Sequence, residues 1–175
     1  MKKIISIVGI GNEIRRDDGT GIYVVCSLKE ILPSEIDVIE ISDDISKLLE
    51  INDYYNKVII IDAVRSHNNP GKIYRYDLRT QKLPVIFSNY STHSFNLAEA
   101  IELGLKLNKL PPELIIYGIE GKNFETGVGL SDEVLKAVPE IINTIQNEIR
   151  KVLKEHLSYQ TEIKKAGFVT GSKLL

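Results

Sequence analysis

Hydrophobic and polar positions alternate along the chain in two rhythms. Ile4-Ile5-Ser6-Ile7-Val8 is continuous and β-branched, the pattern of a strand buried on both faces, and Gly9, Gly11 and Asn12 then turn the chain. From about Thr20 to Leu32, Ile22, Val25, Cys26 and Leu28 recur on one side of a predicted helix, which Pro33 and Ser34 stop. Ile36, Val38, Ile39 and Ile41 predict a second strand. Asp43 and Asp44 can cap a helix carrying Ile45, Leu48, Leu49 and Ile51. Val58 to Ile61 is the most apolar strand, and it ends at Asp62.

Asn68-Asn69-Pro70-Gly71 predicts a turn. Lys72 to Leu78 alternates, so it should have one wet face and form an antiparallel edge strand. A helix is expected from about His93 to Leu107, carrying Leu97, Ala98, Ile101 and Leu105, with Thr92 or Ser91 as its cap. Leu114 to Ile119 is the fifth strand, and Gly121 to Gly129 a glycine-punctuated loop that could act as a flap or serve only as a connection. Ser131 can cap a last helical region striped by Ile142, Ile145, Ile149 and Val152, which Pro139 should kink or split. Strands alternating with helices predict one three-layer α/β domain: a mostly parallel five-stranded sheet, one antiparallel edge strand, and helices on both faces. The domain is expected to cover residues 1–158, with a weakly ordered tail over 159–175.

Length and composition narrow the possibilities. A chain of 175 residues holds one ordinary domain and is short for two. Twenty-two Lys and Arg against 24 Asp and Glu leave a net charge of -2, which gives no reason to expect nucleic acid or an anionic membrane as partner. No apolar run approaches the roughly 20 residues that span a bilayer. Met1-Lys2-Lys3 lacks the small-residue cleavage site of a signal peptide, so a cytoplasmic protein is expected. A single cysteine, Cys26, excludes an internal disulfide and a thiolate zinc site; its place on the apolar side of the first helix reads as core. Nothing marks an oligomer interface, and a monomer is expected.

In a parallel sheet the ligand crevice lies beyond the carboxyl ends of the strands. Three groups stand there. Gly9-Ile10-Gly11 begins like a dinucleotide fingerprint, but Ile14 occupies the third glycine position and the match is incomplete. Asp17-Asp18 follows, before Gly19. One carboxylate suffices to cap a helix, and two adjacent ones repel unless one turns towards a cation or a proton. Asp62 ends the most buried strand, as a turn former or a functional carboxylate. His93 sits at the predicted helix start, where the dipole favours the neutral imidazole that binds metals, or it is simply a surface residue. Two oxygens and one imidazole could form a three-ligand site open to substrate.

These residues, in this order, resemble the hydrogenase maturation endopeptidases, which trim the large subunit of nickel-iron hydrogenases. The resemblance runs from about Ile4 to about Leu153. It rests on Gly9-x-Gly11-Asn12 with Asp17-Asp18-Gly19-x-Gly21, on Asp62-Ala63, on Thr92-His93-Ser94, and on Gly127-x-Gly129-Leu130-Ser131. It implies a five-stranded sheet between helices, with Asp18, Asp62 and His93 as catalytic and nickel-contacting residues, and Asp17 as the alternative to Asp18. It also implies that nickel arrives with the hydrogenase large-subunit precursor rather than as a resident cofactor, and that a short C-terminal extension is removed. Cleavage would use a carboxylate-activated water, so no serine or cysteine nucleophile is needed. Two other readings compete. A receiver-like phosphoacceptor domain would use Asp62 and Lys122, although Gly11 to Arg16 separate the acidic pair from the first strand. A different peptidase or amidase could occupy the same scaffold.

Overall fold

The computed structural model describes residues 3–42, 44–51, 54–87 and 96–165. Two compact units divide the chain, Met1–Ile142 and Asn143–Leu175. The first contains five strands: β1 (Lys3–Ile10), β2 (Asp37–Ile41), β3 (Tyr55–Val64), β4 (Ile73–Asp77) and β5 (Glu113–Glu120). It also contains α1 (Thr20–Lys29), the short α2 (Leu48–Ile51) and α3 (Leu97–Lys106), and the opening turns of α4 (Asp132–Lys165). The strand order is β2-β1-β3-β5-β4, with β4 pairing antiparallel to β5 and every other pair parallel. A receiver-type sheet is ordered 2-1-3-4-5 with no reversed edge strand, so the phosphoacceptor reading fails on topology.

The β-branched runs make the central strands because both of their faces are covered. Ile7, Val8, Ile59, Ile60, Ile115 and Ile116 are each 1% exposed or less. On one face Val8, Ile10, Val58, Ile60, Val64, Leu114 and Ile116 join Ile45, Leu48 and Ile51 and the α3 residues Leu97, Ala100 and Ile101. On the other, α1 lies so close that a Cβ on Gly9 would collide with the Gly21 carbonyl and the Val25 side chain, and a Cβ on Gly21 with the Ile10 and Ile61 carbonyls. Removing two side chains lets a helix backbone rest on strand ends. The alternating strand β4 is only partly buried along its length, as an edge should be. The turn before it has Gly71 at φ 83°, with the Lys72 N–H donating to the Asn69 carbonyl at 3.1 Å: a proline-glycine type II turn.

Several helix expectations need correction. The α1 helix ends at Lys29, not Leu32, and Cys26 is exposed. At 100° per residue the buried arc of α1 is centred between Val25 and Leu28 and includes Val24, so Cys26 falls past its Ile22 edge. The α3 helix is capped by Asn96, whose side chain accepts from the Glu99 N–H while Glu99 accepts from the Asn96 N–H. This reciprocal box sets the start at Leu97, so the placement of His93 in the helix's first turn falls away; His93 itself lies outside the described residues. Pro139 does not split the last region, since α4 runs as one helix from Asp132. In the second unit it continues to Lys165, with Ile145 and Ile149 buried one turn apart. Of the expected tail over 159–175, residues 166–175 lie outside the described residues.

Candidate active site

The loop after β1 is shaped by its own backbone. Gly11 has φ 148°, and a Cβ there would strike the Asp18 carbonyl. That carbonyl accepts from the Asn12 N–H at 3.2 Å, while the Asn12 side chain accepts from the Ile14 N–H at 3.1 Å. The turn closes into a 3-10 helix, Arg16–Gly19, that delivers the acidic pair just before α1. The fingerprint glycines are therefore accounted for by close backbone packing, against α1 at Gly9 and against Asp18 at Gly11.

Asp17 and Asp18 then part company. Asp17 is fully buried. Its Oδ2 accepts from the backbone N–H groups of Lys122 and Asn123, each at 2.8 Å, and from Ser131 Oγ at 2.9 Å. Its Oδ1 accepts from the Ser131 N–H at 2.7 Å. Four donors saturate the carboxylate, so Asp17 is a clamp and is not the alternative ligand. Further bonds tie the same loop down: Arg16 N–H to the Gly127 carbonyl and Gly127 N–H to the Ile14 carbonyl, both at 2.9 Å. The stretch Gly121 to Gly129 is thus pinned along its length, the geometry of a fixed wall and not of a flap. Ser131, expected as a helix cap, gives its hydroxyl to Asp17.

Asp18 and Asp62 come together. Both line one cleft, with Ile10, Gly11, Ile45, Ile86, Phe87, Leu97 and Phe124 among its other walls. The position of Asp62 follows from the register. Gly9 of β1 pairs with Ile61, so Asp62 is the first β3 residue beyond the last β1–β3 pair, and on its other side it pairs with Gly118 of β5. Strand alternation puts it on the face of Val58, Ile60 and Val64. Burial against apolar walls, and secondarily the Asp18 charge, push the Asp62 carboxyl well above its ordinary range; a hydrogen bond from the Ala63 N–H opposes them. Asp18 has a cation near it, with Arg15 Nε 3.9 Å from its Oδ2. The pair can therefore hold one proton and one negative charge together, the arrangement that general acid–base hydrolysis of an amide needs and that also suits a cation with other ligands of its own.

Among the described residues no three His, Cys, Asp or Glu side chains gather as a metal-holding group, and two of the three expected ligands fall within that set. Sequence reasoning missed Arg65 and Phe124, which also line the cleft. Arg65 stands three positions beyond Asp62, a spacing that could have drawn notice. It missed Glu120 too, which is 1% exposed and accepts from the Ser66 N–H at 2.7 Å, from Ser66 Oγ at 2.6 Å and from the Tyr74 hydroxyl at 3.2 Å. Glu120 ends β5 as Asp62 nearly ends β3, but its three bonds make it a brace for the β3–β4 connection. Lys122, the other half of the phosphoacceptor reading, gives its Nζ to Glu133 at 2.6 Å.

Comparison with known proteins adds an independent line. A family model described as hydrogenase maturation protease matches residues 22–148. A protein of Methanocaldococcus jannaschii, MJ0253, whose name assigns it provisionally to the hydrogenase maturation proteases, is 34% identical over 157 residues, covering 86% of this chain and 99% of its own. Protein FrxA of Pyrococcus furiosus is 31% identical over 137 residues, covering 77% and 97%. Among solved structures, the hydrogenase maturating endopeptidase HybD of Escherichia coli superposes with a TM-score of 0.73 over 85% of this chain and 93% of its own. At 24% identity that likeness speaks for the fold. A hydrogenase 2 maturation peptidase from a Thaumarchaeota archaeon is 26% identical, with a TM-score of 0.63 over 84% of this chain and 98% of its own.

Proposed function

The chain belongs to the hydrogenase maturation protease family, and from that premise we propose that it is the endopeptidase that removes the C-terminal extension of a nickel-iron hydrogenase large-subunit precursor. The nickel already inserted in the precursor is the recognition element and belongs to the substrate. Asp18, Asp62 and His93 meet it. The observation that carries this reading is the convergence of Asp18 and Asp62, remote in sequence, in one apolar-walled cleft at the carboxyl ends of β1 and β3.

The chemistry follows from that pair. A peptide bond breaks when water is deprotonated as it attacks and the leaving nitrogen receives a proton. Of the two carboxyl groups, Asp62 is the one whose burial favours the protonated form, and Asp18 is the one with a cation, Arg15, beside it. Asp18 then accepts the proton of the attacking water, and Asp62 supplies one to the leaving group. His93 completes the contact with the substrate's nickel. Few protein ligands are adequate for docking a metal whose remaining positions are filled by the precursor, and a precursor without nickel lacks the anchor, which gives the reaction a proofreading step. The protein works as a cytoplasmic monomer; no helix among the described residues is long and apolar enough to cross a membrane.

Single-turnover processing of nickel-loaded precursor tests this. Asp18→Asn, Asp62→Asn and His93→Ala are each expected to slow cleavage by about a hundredfold or more. Near wild-type rates in all three would sink the assignment, and equal cleavage of nickel-free precursor would remove the role of the metal.

A further inference from the structure

We propose that Arg15 is a positioning residue for the cleavage reaction: its guanidinium, tethered to the Phe124 carbonyl, holds the Asp18 carboxylate in the cleft that Asp62 shares. The inference rests on the protease reading above for the reaction it serves. The local chain sets it up. The Asp18 N–H donates to the Arg15 carbonyl at 3.2 Å, a bond of the 3-10 kind at the entrance to the Arg16–Gly19 turn. In such a turn, side chains three apart lie over one another. Arg15-x-x-Asp18 therefore puts a guanidinium and a carboxylate on one side, and Arg15 Nε lies 3.9 Å from Asp18 Oδ2. At that separation the contact is electrostatic and not a hydrogen bond.

Such a contact fixes a direction only if the cation is itself fixed. The Arg15 N–H donates to the Asn12 carbonyl at 3.0 Å, its carbonyl takes the Asp18 N–H, and a terminal guanidinium nitrogen donates to the Phe124 carbonyl at 3.0 Å. Phe124 follows Lys122 and Asn123, whose N–H groups Asp17 grips. The anchor is thus part of the fixed wall, and the clamp at Asp17 supports Asp18 through it. The Arg15 Nε is buried and makes no hydrogen bond among the described residues, and what it faces is the Asp18 carboxylate. The Arg15 and Asp18 side chains are 33% and 15% exposed, so solvent screens the attraction only in part. The attraction is needed because Asp62 opposes it: two carboxyl groups lining one cleft repel when charged. Without the guanidinium, Asp18 relaxes away from Asp62, and the attacking water loses its proton acceptor.

Single-turnover processing of nickel-loaded precursor, with the full-length protein in excess, separates positioning from binding. Arg15→Met keeps the aliphatic stem and loses the charge and the fork. Its saturating rate should fall about ten- to a hundredfold, with the half-saturating enzyme concentration within about threefold of wild type, because Arg15 acts on Asp18 and not on the peptide. Arg15→Lys, which returns the charge, should recover part of the rate. Arg15 lines an open cleft with Asn123 and Phe124, so Arg15→Ala should regain rate as ethylguanidinium is added, and Asp18→Asn should not. Crystal structures of wild type and Arg15→Met read the same role without substrate. The Asp18 carboxylate should turn away from Asp62 in the variant, while the bonds of Asp17 to Lys122, Asn123 and Ser131 persist. A saturating rate within about twofold of wild type in both Arg15→Met and Arg15→Ala, a loss confined to half-saturation, a loss that neither lysine nor ethylguanidinium relieves, or an unmoved Asp18 in the variant crystal would overturn the proposal. If the wild-type protein leaves the precursor uncut, the protease reading fails by itself, and the pair of crystal structures still decides what Arg15 does to Asp18.

Discussion

Asp17 and Asp18 are chain neighbours with opposite surroundings, and that contrast carries the site. Asp17 is saturated by four donors from the loop at Lys122, Asn123 and Ser131. Asp17→Ala leaves those donors without their acceptor in the interior, and should destabilise the fold by about 3 kcal/mol or more in urea unfolding; a loss under 1 kcal/mol would contradict the clamp. Asp62 stands at the other extreme. Its folded carboxyl titrates above the unfolded value near 4. Below that value both states are protonated and the group costs nothing. As pH rises the unfolded chain ionises first, so Asp62 withdraws stability until its raised folded titration is passed. Asp62→Asn should therefore melt at a higher temperature than wild type at pH 7, with the gap closing as pH falls towards about 4. A lower melting temperature at both pH values would mean that the carboxylate is welcomed by the fold and not strained by it. The sequence names both acids but cannot say which is clamped, because Ser131 and Asn123 reach Asp17 only through tertiary structure.

At the scale of elements, burial made the strands readable. Ile59, Ile60, Ile115 and Ile116 belong to runs that are apolar throughout because both faces of their strands are covered, and the alternation of Ile73 to Leu78 marks the edge strand in the sequence itself. Helix ends were read less well. Ser91 and Thr92 are plausible caps near His93 on residue type alone, but the cap is Asn96 with Glu99 three residues on, itself a recognisable signature. Cys26 was misplaced because spacing from Ile22 suggested one apolar side, when the arc is set by Val24, Val25 and Leu28. The contact of α1 with the sheet is the element-level feature that holds the acidic pair in place. Gly21→Ala forces a methyl group into the Ile10 and Ile61 carbonyls, and should cost about 3 kcal/mol while displacing Asp18. Thermal unfolding checks the first effect and cleavage rate the second; a variant as stable and active as wild type would show that the close approach is dispensable.

For the molecule as a whole, the parallel sheet gathers distant residues at one edge. The ends of β1 and β3 bring Asp18 to Asp62, and the loop after β5 walls the cleft with Phe124. Under the proposed function, a metal carried by the substrate accounts for so few protein ligands, and membership of a protease family agrees with a carboxylate pair at this edge of the sheet. The central claim is that Asp18, Asp62 and His93 converge on one ion. A crystal structure of the protein soaked in cadmium tests it most directly. The account predicts a single cadmium ion bonded to both carboxylates and the imidazole, at distances of about 2 Å. Three side chains lying more than about 10 Å apart, or an ion held elsewhere and by none of them, would contradict it.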